Sequence, residues 1–254
     1  NGVLDANEND ADDTDPADNR DGILDRGLLP YLTVYSAEPS TTASGEGRVN
    51  VNDANGGSLS ELLRSQMADD RRFQILGQVR SARPFTSVLD FYARSGLEIG
   101  EFSAIADQIT TSNAEQATGL INVNTASRQV LMCLPGLDEG DVEALISRRG
   151  ASDSDLSSIA WVAEALPKDK AAAIGPYVTT RSYQFSADIL AVSGDGRAFK
   201  RRLVVIDCTK APPRVVYSRD LTDLGWPLDR EILKSLRSGA GASSVPSTLT
   251  VGGR

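Results

Sequence analysis

The hydrophobic period of this chain changes once, and that change limits what it can fold into. From residue 177 the apolar positions alternate: Tyr183, Phe185, Ala187, Ile189 and Ala191 fall on one face of an extended strand. Gly194-Asp195-Gly196 has the chemistry of a hairpin turn, residues 199–208 return, and residues 214–218 follow the Pro212-Pro213 corner as a third strand. Upstream the period is helical. Leu59, Leu62, Leu63 and Met67 form one stripe, Ile75, Leu76 and Val79 a second, and Ile99, Phe102, Ile105 and Ile109 another. Pro84 is placed to open a helix with Phe85, Val88, Leu89 and Tyr92 inward and Gly96 at its stop. Ile159, Trp161, Val162 and Leu166 follow before Pro167. Residues 29–36 (LPYLTVYS) are rich in aromatic and β-branched side chains and read as a strand that joins the later three.

The reading is an α+β fold: an antiparallel sheet with one apolar face and a large helical insert. Its parts are an acidic segment (1–27), a first strand and connecting loop (28–58), a helical insert (59–176), a β-meander (177–225), and a short helix with a mobile tail (226–254). Something must cover the apolar face of the sheet: nothing left in the chain looks long enough except the weak 228–236 helix, and a missing N-terminal helix would do so naturally.

The most informative stretch within the insert is 119–149, GLINVNTASRQVLMCLPGLDEGDVEALISRR. Asn124 or Thr125 can cap a first helix (Val130, Leu131 and Leu134 inward), and Asp138 a second (Val142, Leu145 and Ile146 inward). Gly136 supplies the left-handed backbone at the turn between them. This is a helix-hairpin-helix pattern. Such hairpins often hold a DNA phosphate, but here Asp138 stands where a second glycine is usual, and Glu139 and Asp141 follow. Carboxylates beside an incoming phosphate oppose binding that depends on counterion release. Arg148 and Arg149 read as a last-turn pair facing the helix dipole. The hairpin is therefore read as scaffolding.

Charge supports that reading. Residues 1–25 hold nine carboxylates against Arg20 alone, which accounts for −8 of the net −9 and leaves the rest of the chain nearly neutral. A polyanion partner does not suit that balance. The chain has no histidine, so the commonest general base and transition-metal ligand are both missing. Ser36, Ser127 and Ser193 lack a histidine partner, no glycine-rich phosphate loop precedes a helix, and no carboxylate pair is isolated in an apolar stretch. An enzyme is not indicated. Cys133 and Cys208 are read as two buried, unpaired thiols, with one disulfide as the other option. No apolar run is of membrane-spanning length. The first residue is Asn rather than Met, which reads as a trimmed piece.

The acidic segment contains a repeat: Asn1-Gly2-Val3-Leu4-Asp5 returns as Asp21-Gly22-Ile23-Leu24-Asp25. The pattern matches the middle of an EF-hand calcium loop, in which the glycine turns sharply and the Asp ligates directly or through water. Glu8 falls at the closing position of the first copy. Asn19 and Asp21 fit early ligand slots of the second, where Leu28 holds the closing position, so that Asp10, Asp12, Asp15 or Asp18 would complete the site. The expected calcium ligands are thus Asn1, Asp5, Glu8, Asn19, Asp21 and Asp25. The bland alternative is a disordered acidic tail.

Taken in order, LPYLTVYS, the VNVN of residues 49–52, Pro84-Phe85 with Leu89-Asp90, GLINVNTASRQVLMCLPGL and the closing meander resemble the K-class minor pseudopilin of type II secretion, over residues 28–225. The resemblance implies an N-terminal membrane helix, a pseudopilin sheet interrupted by a helical domain, and calcium sites. It further implies a periplasmic domain of an inner-membrane-anchored protein at the pseudopilus tip. Its partners would be other minor pseudopilins and secretion substrates, with no nucleic acid, and it would meet the membrane only through that helix. The absent helix would supply the cover for the sheet. The alternative is a helix-hairpin-helix DNA-binding protein of the competence type, which shares the phrase INVNTA…L…LPG.

Overall fold

The computed structural model describes residues 9–15, 18, 20, 27–28, 31–228 and 230–238. The chain divides into two compact units, one of residues 34–183 and one that joins residues 1–33 to 184–254. Both helices and strands are present, and the strands form several small sheets.

The 34–183 unit is mainly helical and is built twice from one plan. Strand β1 (Ala37–Pro39) comes first, then β2 (Val49–Asn50) and four helices, α1 (Gly57–Arg64), α2 (Asp69–Ala82), α3 (Val88–Ser95) and α4 (Ile99–Ile105). Strand β3 (Ile109–Thr110) then returns parallel to β2. After β4 (Gln116–Thr118) the order repeats: β5 (Ile121–Asn122), α5 (Arg128–Leu131), α6 (Glu139–Gly150), α7 (Ala160–Ala165), α8 (Lys168–Ile174) and β6 (Val178–Thr179), the last parallel to β5.

The repeat is spelled by two asparagine pairs. The Asn50 side chain accepts from the Asn52 amide at 2.9 Å, and Asn122 accepts from the Asn124 amide at the same distance. Asn52 Nδ2 then donates to the carbonyls of Phe85 and Thr111, as Asn124 Nδ2 does to those of Leu156 and Thr180. Each asparagine thereby satisfies backbone groups that a short strand cannot reach. Val51 and Val123, between the paired asparagines, are fully buried in a single core shared by both repeats. Trp161, Phe91 and Phe102 are its largest fully buried side chains.

Several sequence expectations need correction. Residues 31–36 form no strand, and Leu32 and Val34 are exposed. The first strand is β1, which pairs antiparallel with β4 inside this unit instead of joining the meander. Strand propensity alone did not specify a partner, and the pairing of Glu38 with Ala117 lies just downstream. Pro84 does not open a helix. Its peptide with Arg83 is cis, and α3 starts at Val88, with Ser87 Oγ accepting from the Asp90 amide. Cys133, two residues past the end of α5, is exposed with its Sγ against the Gln129 carbonyl at 3.3 Å, and Cys208 is half-buried; both are free thiols, so the expectation that they are buried fails.

In the second unit the period-2 pattern forms an antiparallel meander of β7 (Gln184–Val192), β8 (Phe199–Asp207) and β9 (Arg214–Asp220), with a register shift at Val205/Ile206. One face is covered: Val205, Arg201 and Leu221 are buried, and Phe199 meets Trp226 edge-on. Arg201 forks onto Asp188 on that face. The opposite face carries Phe185, Ile189 and Val215, which are 52%, 51% and 62% exposed. Phe185 and Ile189 belong to the alternating pattern, and Val215 of β9, opposite Ile206, lies on the same face. A short helix, α9 (Arg230–Arg237), follows. No helix among the described residues is long and apolar enough to cross a membrane.

Candidate functional site

The residues between α5 and α6 form a tight link whose Gly136 takes φ 77°, a conformation open to glycine and costly for other residues. Ser127, not Asn124 or Thr125, caps α5: its Oγ accepts from the Val130 amide at 3.3 Å. Asn124 is used elsewhere, its Oδ1 accepting from Trp161 Nε1 at 3.0 Å. Asp138 caps α6 as expected. Its Oδ1 accepts from the Asp141 amide at 3.0 Å, and Asp141 Oδ2 accepts from the Asp138 amide at 2.9 Å, a reciprocal capping box.

Two amides at the start of α6, those of Asp138 and Asp141, are thus taken by the protein's own carboxylates. A Cβ at Gly140 would meet Asp138 Oδ1 at 3.2 Å, so glycine there leaves the carboxylate room. Lys170 donates to Asp138 at 2.9 Å and to Asp141. The lysine bond and then the Asp141 amide hold the Asp138 carboxyl below its ordinary value, while Asp141 and Asp138 push Lys170 up to about 12.

The nearby arginines are committed as well. Arg128 bonds Glu143 at 2.8 Å and also Glu139, and these carboxylates raise its affinity for its proton. Arg148 bonds Glu164 at 2.5 Å and Asp153 at 3.1 Å. Arg149 Nη1 donates to the carbonyls of Val123 and Ala126 at 2.9 and 2.8 Å. Both therefore do more than face the α6 dipole, and Arg149 ties the end of α6 to the strand that begins the repeat.

Of the expected calcium ligands, Asn1, Asp5, Glu8, Asn19, Asp21 and Asp25 lie outside the described residues. Asp10, Asp12, Asp15 and Asp18 are described. Asp18 Oδ2 accepts from the amides of Asp10 and Ala11 at 2.9 and 3.2 Å, and Thr14 Oγ1 donates to Asp10. These bonds shape a turn and draw the Asp18 carboxylate onto backbone. Among the described residues no group of three or more carboxylates or thiols is placed to hold a metal ion. The donor set of the segment is all oxygen, the chemistry that calcium takes.

Residues 121–180 match the family model of type II secretion system (T2SS), protein K. The matched stretch is the second repeat, from β5 to β6, with the link between α5 and α6 inside it. No curated protein matches the chain. No solved structure matches it.

Proposed function

We propose that this chain, a type II secretion protein K by its residues 121–180, is a structural minor pseudopilin working at the pseudopilus tip with the other minor pseudopilins. Protein K is a component of the type II secretion system, and the match over residues 121–180 supports a role in its pseudopilus. The match over the second repeat is the observation that carries the proposal. The uncovered meander face supports it. Phe185, Ile189 and Val215, each a little more than half exposed, forgo roughly 1–1.5 kcal/mol each relative to full burial. A helix from outside the 254 residues, anchored in the inner membrane, is the cover we assign to that face, with the domain itself in the periplasm.

The self-occupied hairpin argues against the DNA-binding reading. A phosphate at the start of α6 would have to displace Asp138 from the Asp141 amide and then compete with Lys170. Such a site costs ion pairs before it gains any counterion release. The hairpin serves as a brace: Lys170 of α8 clasps the start of α6, and Arg149 clasps its end.

Calcium remains part of the proposal for residues 1–27, as a means to neutralise crowded carboxylates. Calcium is expected to raise the melting temperature relative to chelator, and Asp21→Ala to lessen the rise. Superimposable melting curves would remove calcium from the account. The functional proposal is tested by export. Cells lacking the protein should retain type II substrates inside and release them again when the full-length protein is restored. Unimpaired export in its absence would contradict the assignment.

A further inference from the structure

Helix α2 turns one face to water. Asp70, Phe73, Gln74, Gly77, Arg80 and Ser81, three and four residues apart, are all exposed. Two of them work against the stability of the helix. Phe73 keeps 63% of its surface in water, although Arg72 steadies its ring from one side, the guanidinium carbon lying 4.9 Å from the centroid. Gly77 stands in the middle of α2, where glycine is the poorest helix former after proline. A Cβ there would meet nothing within 4 Å, and the backbone is ordinary helix, so nothing in this unit calls for glycine.

The second repeat shows what this face holds when it is only solvated. Counted from the helix start, the residue of α6 that matches Phe73 is Glu143, which accepts from Arg128 at 2.8 Å. On α2 the charges at the two ends of the face are left over. No side-chain partner reaches Asp70 or Arg80 among the described residues.

These features complement one another. Laid antiparallel on a second copy of itself, with a two-fold axis at the level of Ile75, α2 sets its Phe73 over Gly77 of the second copy and receives the second copy's Phe73 over its own Gly77. The same register brings Asp70 level with Arg80 of the second copy, since both pairs are centred on Ile75. Bare backbone at Gly77 lets the two axes approach to about 8 Å, the close end of helix packing, where those opposite charges come within reach of each other. Each half of the fit lies on the one helix, so a second copy of this chain is the partner that supplies both.

We infer that the exposed face of α2 is an isologous contact through which two copies of this chain associate. Phe73 fills the gap at Gly77 in each direction, and Asp70 pairs with Arg80 across it. One helix on one helix is a small interface, so the association is reversible and concentration-dependent. It needs only α2 and stands apart from the pseudopilus reading.

The test is sedimentation equilibrium of the 254-residue chain at concentrations up to about 1 mM, the weak end of measurable affinity. A monomer–dimer equilibrium is expected. Gly77→Leu fills the gap and should weaken dimerisation by about tenfold. Its melting temperature should equal or exceed that of the wild type, since leucine is the better helix former and meets open space. Asp70→Arg and Arg80→Asp, each of which sets like charges face to face, should weaken the dimer by about threefold or more. The two together restore opposite charges and should restore the affinity. A chain that stays monomeric at the highest concentration, a dimer untouched by Gly77→Leu, or a charge swap no better than its single reversals would each overturn the proposal. So would a lower melting temperature for Gly77→Leu, because the unit itself would then need the glycine.

Discussion

Trp161→Ala is expected to destabilise the helical unit by about 3–5 kcal/mol, read as a lower midpoint in urea unfolding. The indole is 2% exposed within the shared core, so truncation leaves a large cavity. Its Nε1 also donates to Asn124 Oδ1 at 3.0 Å, and losing that donor strands an acceptor inside. Asn124 is the residue that holds the carbonyls of Leu156 and Thr180. Damage should therefore spread to the strand junction of the second repeat. Trp161→Phe separates the two contributions, since it keeps most of the volume and removes the donor. It should cost about 1–3 kcal/mol, the price of one unsatisfied buried polar group. A loss below 1 kcal/mol for Trp161→Ala would mean that the core collapses around the gap.

Arg72→Leu is expected to do the opposite and stabilise the unit by about 1–4 kcal/mol. Arg72 is the fourth residue of α2 and is 6% exposed. Its Nη2 reaches Asp69 at 2.8 Å, while Nε and Nη1 are buried with no hydrogen-bond partner among the described residues. Asp69 itself is largely exposed, so the pair compensates little of the desolvation. In the second repeat the fourth residue of α6 is Val142, fully buried, and the seventh is apolar in both helices, Ile75 and Leu145. The site is thus shaped for an aliphatic side chain. A drop in the urea midpoint on Arg72→Leu would show that the guanidinium is satisfied after all.

What could be read from the chain beforehand divides along physical lines. The meander was legible because period-2 alternation and a Gly-Asp-Gly turn agree, and β7, β8 and β9 follow that pattern. The Asp138 cap was legible because capping is local chemistry within four residues. The strand expected in residues 29–36 failed because propensity names no partner, and β1 found its partner 79 residues on, at β4. The doubled architecture was spelled openly in VNVN at 49–52 and INVN at 121–124, yet four residues are a weak signal. Their meaning lies in bonds to Phe85, Thr111, Leu156 and Thr180, which are remote in sequence. The clasp of Lys170 on Asp138 and Asp141 was hidden for the same reason, since a sequence does not show which lysine neutralises an acidic turn. The calcium ligands rested on a local pattern, and six of them fall outside the described residues.

The exposed meander face is where the account can be tested most directly. The double substitution Phe185→Asp with Ile189→Asp places two carboxylates on the uncovered face, away from Val205 and Leu221 on the buried one. In the isolated chain the melting temperature should stay within a few degrees of wild type, since both side chains are already half in water. In full-length protein the same pair should prevent packing of the covering helix and fail to restore export to cells lacking the wild-type protein. Full export by the double variant would contradict the claim that this face is built to be covered in a pseudopilus.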